Sequence, residues 1–386
     1  MRYQQVGDWN LSRIGLGCYA LSGAYGAVDE VEFERTLRTA FDMGVNFFDT
    51  AEGYGGAEAF LGKALAPIRN QVYLATKLSG ESGVPDLSTA AVREACQASL
   101  KRLGTDVIDL YQVHFDDPHT PVLETVSALD GLVEEGLIRR YGVSHLPVER
   151  VKAYAQTGQL FSVLMELSAV ARTARQTLLP ICAEHNLAGI AFSVTGRGIL
   201  SGQYSEAHVF DEGDIRRMDP LFKRESYASA VRIRAFLARL GEDYQATAVQ
   251  MGIAWVLAQP GIACALTGTS STAHLAENLG ACEIDLAQEH LDALEGFFAD
   301  EDARLTAAQA ETIHKLLTEP LAEEAETAFN DLVYVMETAV KLGMVPEDQV
   351  MPAFMALFAL RHTLDEDARH KMAGIQRLLH DLLLGK

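Results

Sequence analysis

A chain of 386 residues, 48% hydrophobic and 22% charged, can bury a large core as one barrel-sized domain with residues to spare or as two to three smaller domains. No run reaches the ~18 consecutive apolar residues of a membrane span, and a formal net charge of −21 disfavours nucleic acid while leaving room for a local basic pocket that holds one small phosphate. The start, MRYQQVGDWNLSRIGLG, lacks a signal-peptide layout, and Cys18, Cys96, Cys182, Cys264 and Cys282 never form CxxC, so a cytosolic protein with reduced, mostly buried thiols and no metal is expected.

In chain order, two short apolar runs around Gly7-Asp8 read as a hairpin able to plug a barrel floor. From about residue 13 to 283, β-type runs alternate with helical ones. The strand candidates are Ile14–Cys18, Asn46–Asp49, Val72–Lys77, Val107–Val113, Arg139–Val143, Ser162–Leu167, Gly189–Ser193 and Ala263–Thr267. Amphipathic runs such as Ala91–Leu103 and Val122–Glu135 follow them, with Gly44, Gly104, Gly136 and Gly158 placed for left-handed caps. Eight such units without a G-x-G-x-x-G turn predict an α/β fold closed into a (β/α)8 TIM barrel.

Beyond about residue 300 no strand candidate remains. Helices are predicted over Thr306–Thr318, Ala322–Leu342, Glu347–His362 and Leu364–Leu384. Phe329, Leu332, Val333, Met336 and Val340 form one buried stripe, and Met351–Leu360 reads as core packing. The expected organisation is a barrel over residues 1–300 and an all-helical extension over 301–386. The extension, with fifteen acids against eight bases, is a candidate cover for the site, subunit contact or protein-partner surface.

In such a barrel the reactive groups sit at the carboxyl ends of strands. Asp49, Lys77 and His114 fall there on the second, third and fourth strands, and Tyr54 follows in the glycine-rich loop Asp49-Thr-Ala-Glu-Gly-Tyr54-Gly-Gly. A phenol of pKa about 10 is a poor acid at neutral pH, but an adjacent ammonium lowers that value and a carboxylate keeps the ammonium charged. A histidine can hydrogen-bond the oxygen that takes the proton. Singly, each residue has an ordinary structural role as turn filler, helix cap or core polar group. Their succession at neighbouring strand ends points to a proton relay at a carbonyl or alcohol oxygen.

The segment Asp49-Thr-Ala-Glu-Gly-Tyr54-Gly, with Ala75-Thr76-Lys77, Asp109-Leu-Tyr-Gln-Val-His114, Glu135-Gly-Leu-Ile-Arg-Arg-Tyr-Gly-Val-Ser144 and Gly268-Thr-Ser-Ser-Thr-Ala-His-Leu-Ala-Glu277-Asn278-Leu-Gly280, closely resembles the aldo-keto reductase family over residues 1–300. The resemblance implies a catalytic tetrad of Asp49, Tyr54, Lys77 and His114. It implies NADP(H)-dependent reduction of an aldehyde, ketone or keto-sugar, or the reverse, with Tyr54 as proton donor. It also implies cofactor contacts from Ser144, His145, Ser193 and Arg197, and at the adenosine end from Gly268, Thr269, Ser270, His274, Glu277 and Asn278.

Several positions depart from that pattern. His145 stands in place of Asn, Leu164 of Gln and Leu167 of a stacking Tyr; Val194 and Thr195 replace Pro-Leu, and Gln203 replaces a basic residue. Hydroxyls of Thr269, Ser270 and Ser271 beside a helix N-terminus favour NADP(H) over NAD(H). Tyr19, Phe115 and Leu221-Phe222 are candidate walls for a small carbonyl or alcohol. The alternatives are a redox-neutral enzyme on the same barrel, or a nucleotide-binding regulatory or scaffold protein that uses the helical tail for a partner.

Overall fold

Strands covered on both faces carry apolar side chains on both, and Ile108–Val113 and Ile262–Thr267 are buried at every residue. The computed structural model describes residues 1–79, 85–361 and 365–385, which form two compact units, Met1–Asp292 and Ala293–Lys386.

The first unit opens with an antiparallel hairpin, β1 (Tyr3–Val6) and β2 (Trp9–Ser12), with Val6 opposite Trp9. Eight parallel strands follow: β3 (Ile14–Gly17), β4 (Phe47–Asp49), β5 (Tyr73–Leu78), β6 (Ile108–Val113), β7 (Ile138–Ser144), β8 (Ser162–Glu166), β9 (Ala188–Phe192) and β10 (Ile262–Thr267). They pair in sequence order, and β10 closes the barrel on β3. Trp9 and Leu11 of the hairpin are buried against Phe47, Leu110, Ile190 and Leu266 inside the barrel. The Trp9 ring stacks on Tyr73 at 4.6 Å. This plug fills one end with side chains and leaves chemistry to the other.

The surrounding helices are α1 (Glu30–Asp42), α2 (Ala57–Leu65), α3 (Thr89–Leu103), α4 (Val122–Glu134), α5 (Val148–Thr157), α6 (Ala174–Thr177), α7 (Leu179–His185), α8 (Arg224–Gly241), α9 (Ala248–Leu257) and α10 (Thr272–Gly280). Their starts follow local chemistry. Asp29 accepts from the Val31 and Glu32 amides, Ser88 from Ala91, and Thr247 with Gln250 forms a reciprocal capping box. Gly158 departs from expectation: it ends α5 in extended backbone. Its small size serves a close approach instead, because a side chain there would run into Tyr141 Oη and Val126.

The second unit takes up the helix α11 (Gln288–Thr318), within which the division falls, and contains α12 (Ala325–Lys341), α13 (Glu347–Phe358) and α14 (Glu366–Leu384). The helix predicted to start at Thr306 begins at Gln288, since no proline interrupts the segment. The α12 stripe is centred on Ala328, Leu332, Val335, Met336 and Ala339, with Phe329, Val333 and Val340 at its margins. Core packing in 351–360 applies to Ala353, Leu357 and Leu360, whereas Met351, Met355 and Phe358 are exposed. The predicted helix ends His362 and Leu364 lie outside the described residues.

Gly62 of α2 sits against Leu103 so closely that a Cβ would collide with its carbonyl, whereas Gly131 of α4 has open space around it. Gly62→Ala is therefore expected to destabilise by about 1–3 kcal/mol through overpacking, and Gly131→Ala to stabilise by about 0.4–1 kcal/mol. Both tryptophans, Trp9 and Trp255, lie in the first unit, so urea unfolding followed by their fluorescence reads the barrel. Equal midpoint shifts would refute the packing argument.

Candidate active site

At the open end, parallel register brings the carboxyl ends of β4, β5 and β6 side by side, with Asp49 level with Ala75, and Lys77 with Gln112. Lys77 Nζ donates to Asp49 Oδ1 at 2.5 Å and to the Thr50 carbonyl at 2.7 Å. Gln112 Nε2 donates to the other Asp49 oxygen at 3.3 Å. Lys77 is 1% exposed and Asp49 4%, so the pair is held out of water and each partner depends on the other. The loop after β4 turns where the Tyr54 amide donates to the Ala51 carbonyl at 3.1 Å and brings Tyr54 to the pair, with Lys77 Nζ 5.1 Å from its ring centre. Tyr54 meets Tyr19 and His114 edge-on at 4.8 and 5.7 Å.

His114 is held from behind. Its Nδ1 lies 2.6 Å from Ser79 Oγ, and with that hydroxyl donating, the imidazole carries its proton on Nε2. The Ser79 amide donates to Glu52. Arg102 joins this frame, donating to buried Glu58 at 2.5 Å and lying 3.6 Å from Glu52, while Thr76 Oγ1 donates to the other Glu58 oxygen at 2.6 Å. Sequence reasoning named the acid, base and phenol groups among these contacts and missed the frame, because Ser79, Glu52 and Glu58 look like surface residues in one dimension.

Burial shifts the titrating groups in different directions. It works against the Lys77 ammonium, but Asp49 and Tyr54 outweigh it and hold the pKa above its ordinary value. Burial raises that of Asp49, opposed by Lys77 and Gln112. The Tyr54 phenol was expected below its ordinary value. It stands above, since burial, aided by Asp49, outweighs the downward pull of Lys77. Burial and the neighbouring Lys77 and His145 push His114 down to about 2. At neutral pH Tyr54 and His114 are thus both uncharged hydrogen-bond donors.

These groups line a cavity of about 1230 Å³ whose wall also includes His145, Ser193, Arg197, Gly268, Thr269, Ser270, His274, Glu277 and Asn278. Ser144 does not line it; it is buried, its hydroxyl 2.7 Å from His145 Nδ1. Leu164 lines the cavity, whereas Leu167 is fully buried and does not. The aromatic face expected to be lost at Leu167 is present instead at Phe192, which lines the cavity with its ring 5.0 Å from His145. The directly following Ser193 was the signal that could have found it. Of the expected substrate walls, Tyr19 and Phe115 line the cavity; Leu221 and Phe222 do not, and Phe222 packs on Phe210 at 5.0 Å.

His145, Ser193 and Arg197 all adopt positive φ, 47°, 54° and 51°, a conformation that non-glycine residues reach at a cost and that clusters at functional sites. Arg197 pairs with Glu166 at 2.9 Å and Asp219 at 3.0 Å. Glu277 accepts from Thr247 Oγ1 at 2.8 Å. Gln203 Nε2 lies 3.5 Å from His274 Nε2. Ser271 caps α10, accepting from the His274 amide, and its own amide donates to Thr269 Oγ1 at 3.1 Å. Among the described residues no cluster of His, Cys, Asp or Glu is arranged for a metal, and no helix is long and apolar enough to cross a membrane.

Residues 13–298 match the aldo/keto reductase family. The chain is 33% identical over 306 residues to aldo-keto reductase str7 of Strobilurus tenacellus, covering 75% of this chain and 90% of that protein. It is 30% identical over 331 residues to the NADH-specific methylglyoxal reductase of Escherichia coli (strain K12), covering 80% and 97%. Among solved structures it is similar to the glycerol dehydrogenase AKR11B4 from Gluconobacter oxydans, with TM-score 0.71, 29% identity and coverage of 78% and 95%. It is also similar to an aldo/keto reductase from Klebsiella pneumoniae in complex with NADP and acetate, with TM-score 0.61, 28% identity and coverage of 76% and 93%.

Removing one member of the buried pair strands the other. Lys77→Met should cost about 3–5 kcal/mol, and adding Asp49→Asn to it should restore part of the loss; strict additivity in urea unfolding would show that the two do not interact. His114 gives a second test. The unfolded chain protonates this imidazole near its ordinary value of 6.5 and the folded chain only near 2, so its burial favours folding above pH 6.5 and this contribution is lost as pH falls toward 2. In a histidine proton NMR titration assigned with His114→Gln, its signal should remain at the neutral position from pH 8 to pH 5. A midpoint near 6.5 would mean a solvated ring.

Proposed function

This chain belongs to the aldo/keto reductase family, and from that premise we propose that it reduces an aldehyde, ketone or keto-sugar to the alcohol, or runs the reverse oxidation, using NADP(H) with Tyr54 as general acid and base. The observation that carries this reading is the meeting of Tyr54, His114 and the Lys77–Asp49 pair on the wall of one cavity.

The dinucleotide, when bound, supplies or takes up the hydride. The chain's own residues manage the oxygen. Tyr54 keeps its proton at neutral pH and donates it to the carbonyl oxygen as charge develops there. The phenolate left behind sits beside the Lys77 ammonium, which lowers its energy, and Asp49 keeps that ammonium charged and fixed. Neutral His114 offers its Nε2 hydrogen to the same oxygen, its ring angle set by Ser79. In oxidation the proton returns from the alcohol to Tyr54 by the same route.

The wall fits a dinucleotide. Phe192 offers an aromatic face beside His145, which stands in the place of an amide-binding Asn, next to Ser144. Ser193 and Arg197 fit the pyrophosphate, and Glu277 and Asn278 the adenine. Gly268, Thr269, Ser270 and His274 border the first turn of α10, where hydroxyls and backbone amides suit a 2′-phosphate, and this favours NADP(H) although one relative is NADH-specific. A cytosolic setting suits the five free, buried cysteines.

Tyr54→Phe deletes the acid and little else. With NADPH and a panel of aldehydes and ketones, kcat should fall about 10²–10⁴-fold, while the NADPH dissociation constant, followed by cofactor fluorescence, changes less than about twofold. Turnover retained at the wild-type level would remove Tyr54 from the mechanism.

A further inference from the structure

Four side chains lining the cavity carry fixed positive charge: Lys77, Arg197, Arg216 and Arg234. Three are already neutralised. Lys77 is paired with Asp49. Arg197 lies between Glu166 and Asp219. Arg216 binds Asp214 at 2.6 Å and is surrounded by the rings of Tyr25, Tyr204 and Phe210, with its guanidinium carbon 4.7 to 5.0 Å from each ring centre. Arg234, on α8, makes no ion pair and no side-chain hydrogen bond among the described residues.

The backbone is shaped around this unpaired guanidinium. Gly202 has φ +77, and a Cβ on it would lie 2.6 Å from Arg234 Nη1 and 3.1 Å from Cζ. The missing side chain therefore lets the planar group lie over the loop at the cavity wall. The next residue, Gln203, reaches His274 of α10, its amide nitrogen donating to His274 Nε2 at 3.5 Å, so side chains of Arg234, Gln203 and His274 all line the same cavity. Ordering a long side chain there costs rotamer freedom, and a guanidinium facing a cavity without an acceptor leaves its fork of donors unused. In a chain of net charge −21, carboxylate partners are abundant, yet none is placed here. The ligand chemistry that satisfies a half-buried fork of N–H groups with a full positive charge is a phosphate, held by two parallel hydrogen bonds.

We propose that Arg234, seated over Gly202, is a direct contact to a phosphate group of the nucleotide bound in this cavity. The inference rests on the dinucleotide reading above and adds a residue from α8, outside every motif that carried that reading. The phosphate is either the 2′-phosphate or the pyrophosphate, and nucleotide fragments separate the two.

Calorimetric titration of the full chain with 2′,5′-ADP and with ADP, for wild type, Arg234→Gln and Arg234→Lys, tests it without turnover. A charged hydrogen bond of ordinary strength corresponds to about a tenfold to hundredfold loss of affinity in Arg234→Gln, with most affinity kept in Arg234→Lys. Loss confined to 2′,5′-ADP assigns the 2′-phosphate; equal loss for both assigns the pyrophosphate. The loss should shrink as salt is raised, because it is electrostatic. If wild type binds 2′,5′-ADP and Arg234→Gln binds it equally well, the proposal is overturned while the dinucleotide reading stands. If wild type binds neither fragment and not NADPH either, the dinucleotide reading itself fails and this proposal with it.

Discussion

A lysine ammonium almost wholly removed from water is the constraint around which the site is arranged. Stripping an ion of its hydration costs several kcal/mol even after relaxation, and Lys77 recovers this only through Asp49 and the Thr50 carbonyl. Both partners sit on neighbouring parallel strands, so their distance is set by strand spacing and register rather than by a mobile loop. The register holds because the barrel is closed and its other end is filled by Trp9 and Leu11. A slip of one residue between β4 and β5 would turn one of the two charges toward the helices and leave the other alone.

Around that pair, low dielectric acts on neutral groups in a consistent way. It raises the phenol of Tyr54 and lowers the imidazole of His114, and each shift favours the uncharged form, which in both groups still carries a hydrogen to donate. Two neutral donors and one buried cation therefore share one cavity wall, the kind of preorganised arrangement that the proposed proton transfer calls for. Ser79, Glu52, Glu58 and Arg102 extend the same logic outward. They fix the far nitrogen of the imidazole through a hydroxyl whose own backbone amide is tied down.

The eight strands were legible in the sequence because burial on both faces leaves apolar runs of the right length, and each observed strand end lies within one residue of its expected bound. That Asp49, Lys77 and His114 come together was legible because strand ends are fixed points in a barrel, and Tyr54 followed from the short glycine-rich loop that leaves the first of them. What escaped has a common cause: it depends on approach between segments distant in the chain. Gly158 reads as a cap until Tyr141 and Val126 are seen against it. Leu167 and Phe192 both lie near strand ends, yet only one faces the cavity. The helical tail showed its period but not its face, since the exposed Met351, Met355 and Phe358 are as apolar as their buried neighbours.

Net charge alone argues against an anionic ligand, and the cavity shows why that argument has limited reach. At physiological ionic strength, charges separated by more than about 8 Å are largely screened, so the distant carboxylates behind the −21 act weakly inside the wall. There, three of four cations are spent on carboxylates of the protein itself, which fixes the geometry but leaves little net positive field. Attraction for the proposed phosphate would then come from short-range donors: the hydroxyl of Ser270, the amides at the start of α10, and the guanidinium over Gly202. Such donors discriminate by position rather than by charge, so the phosphate proposed for this cavity would be told from other anions within a few ångströms of the wall.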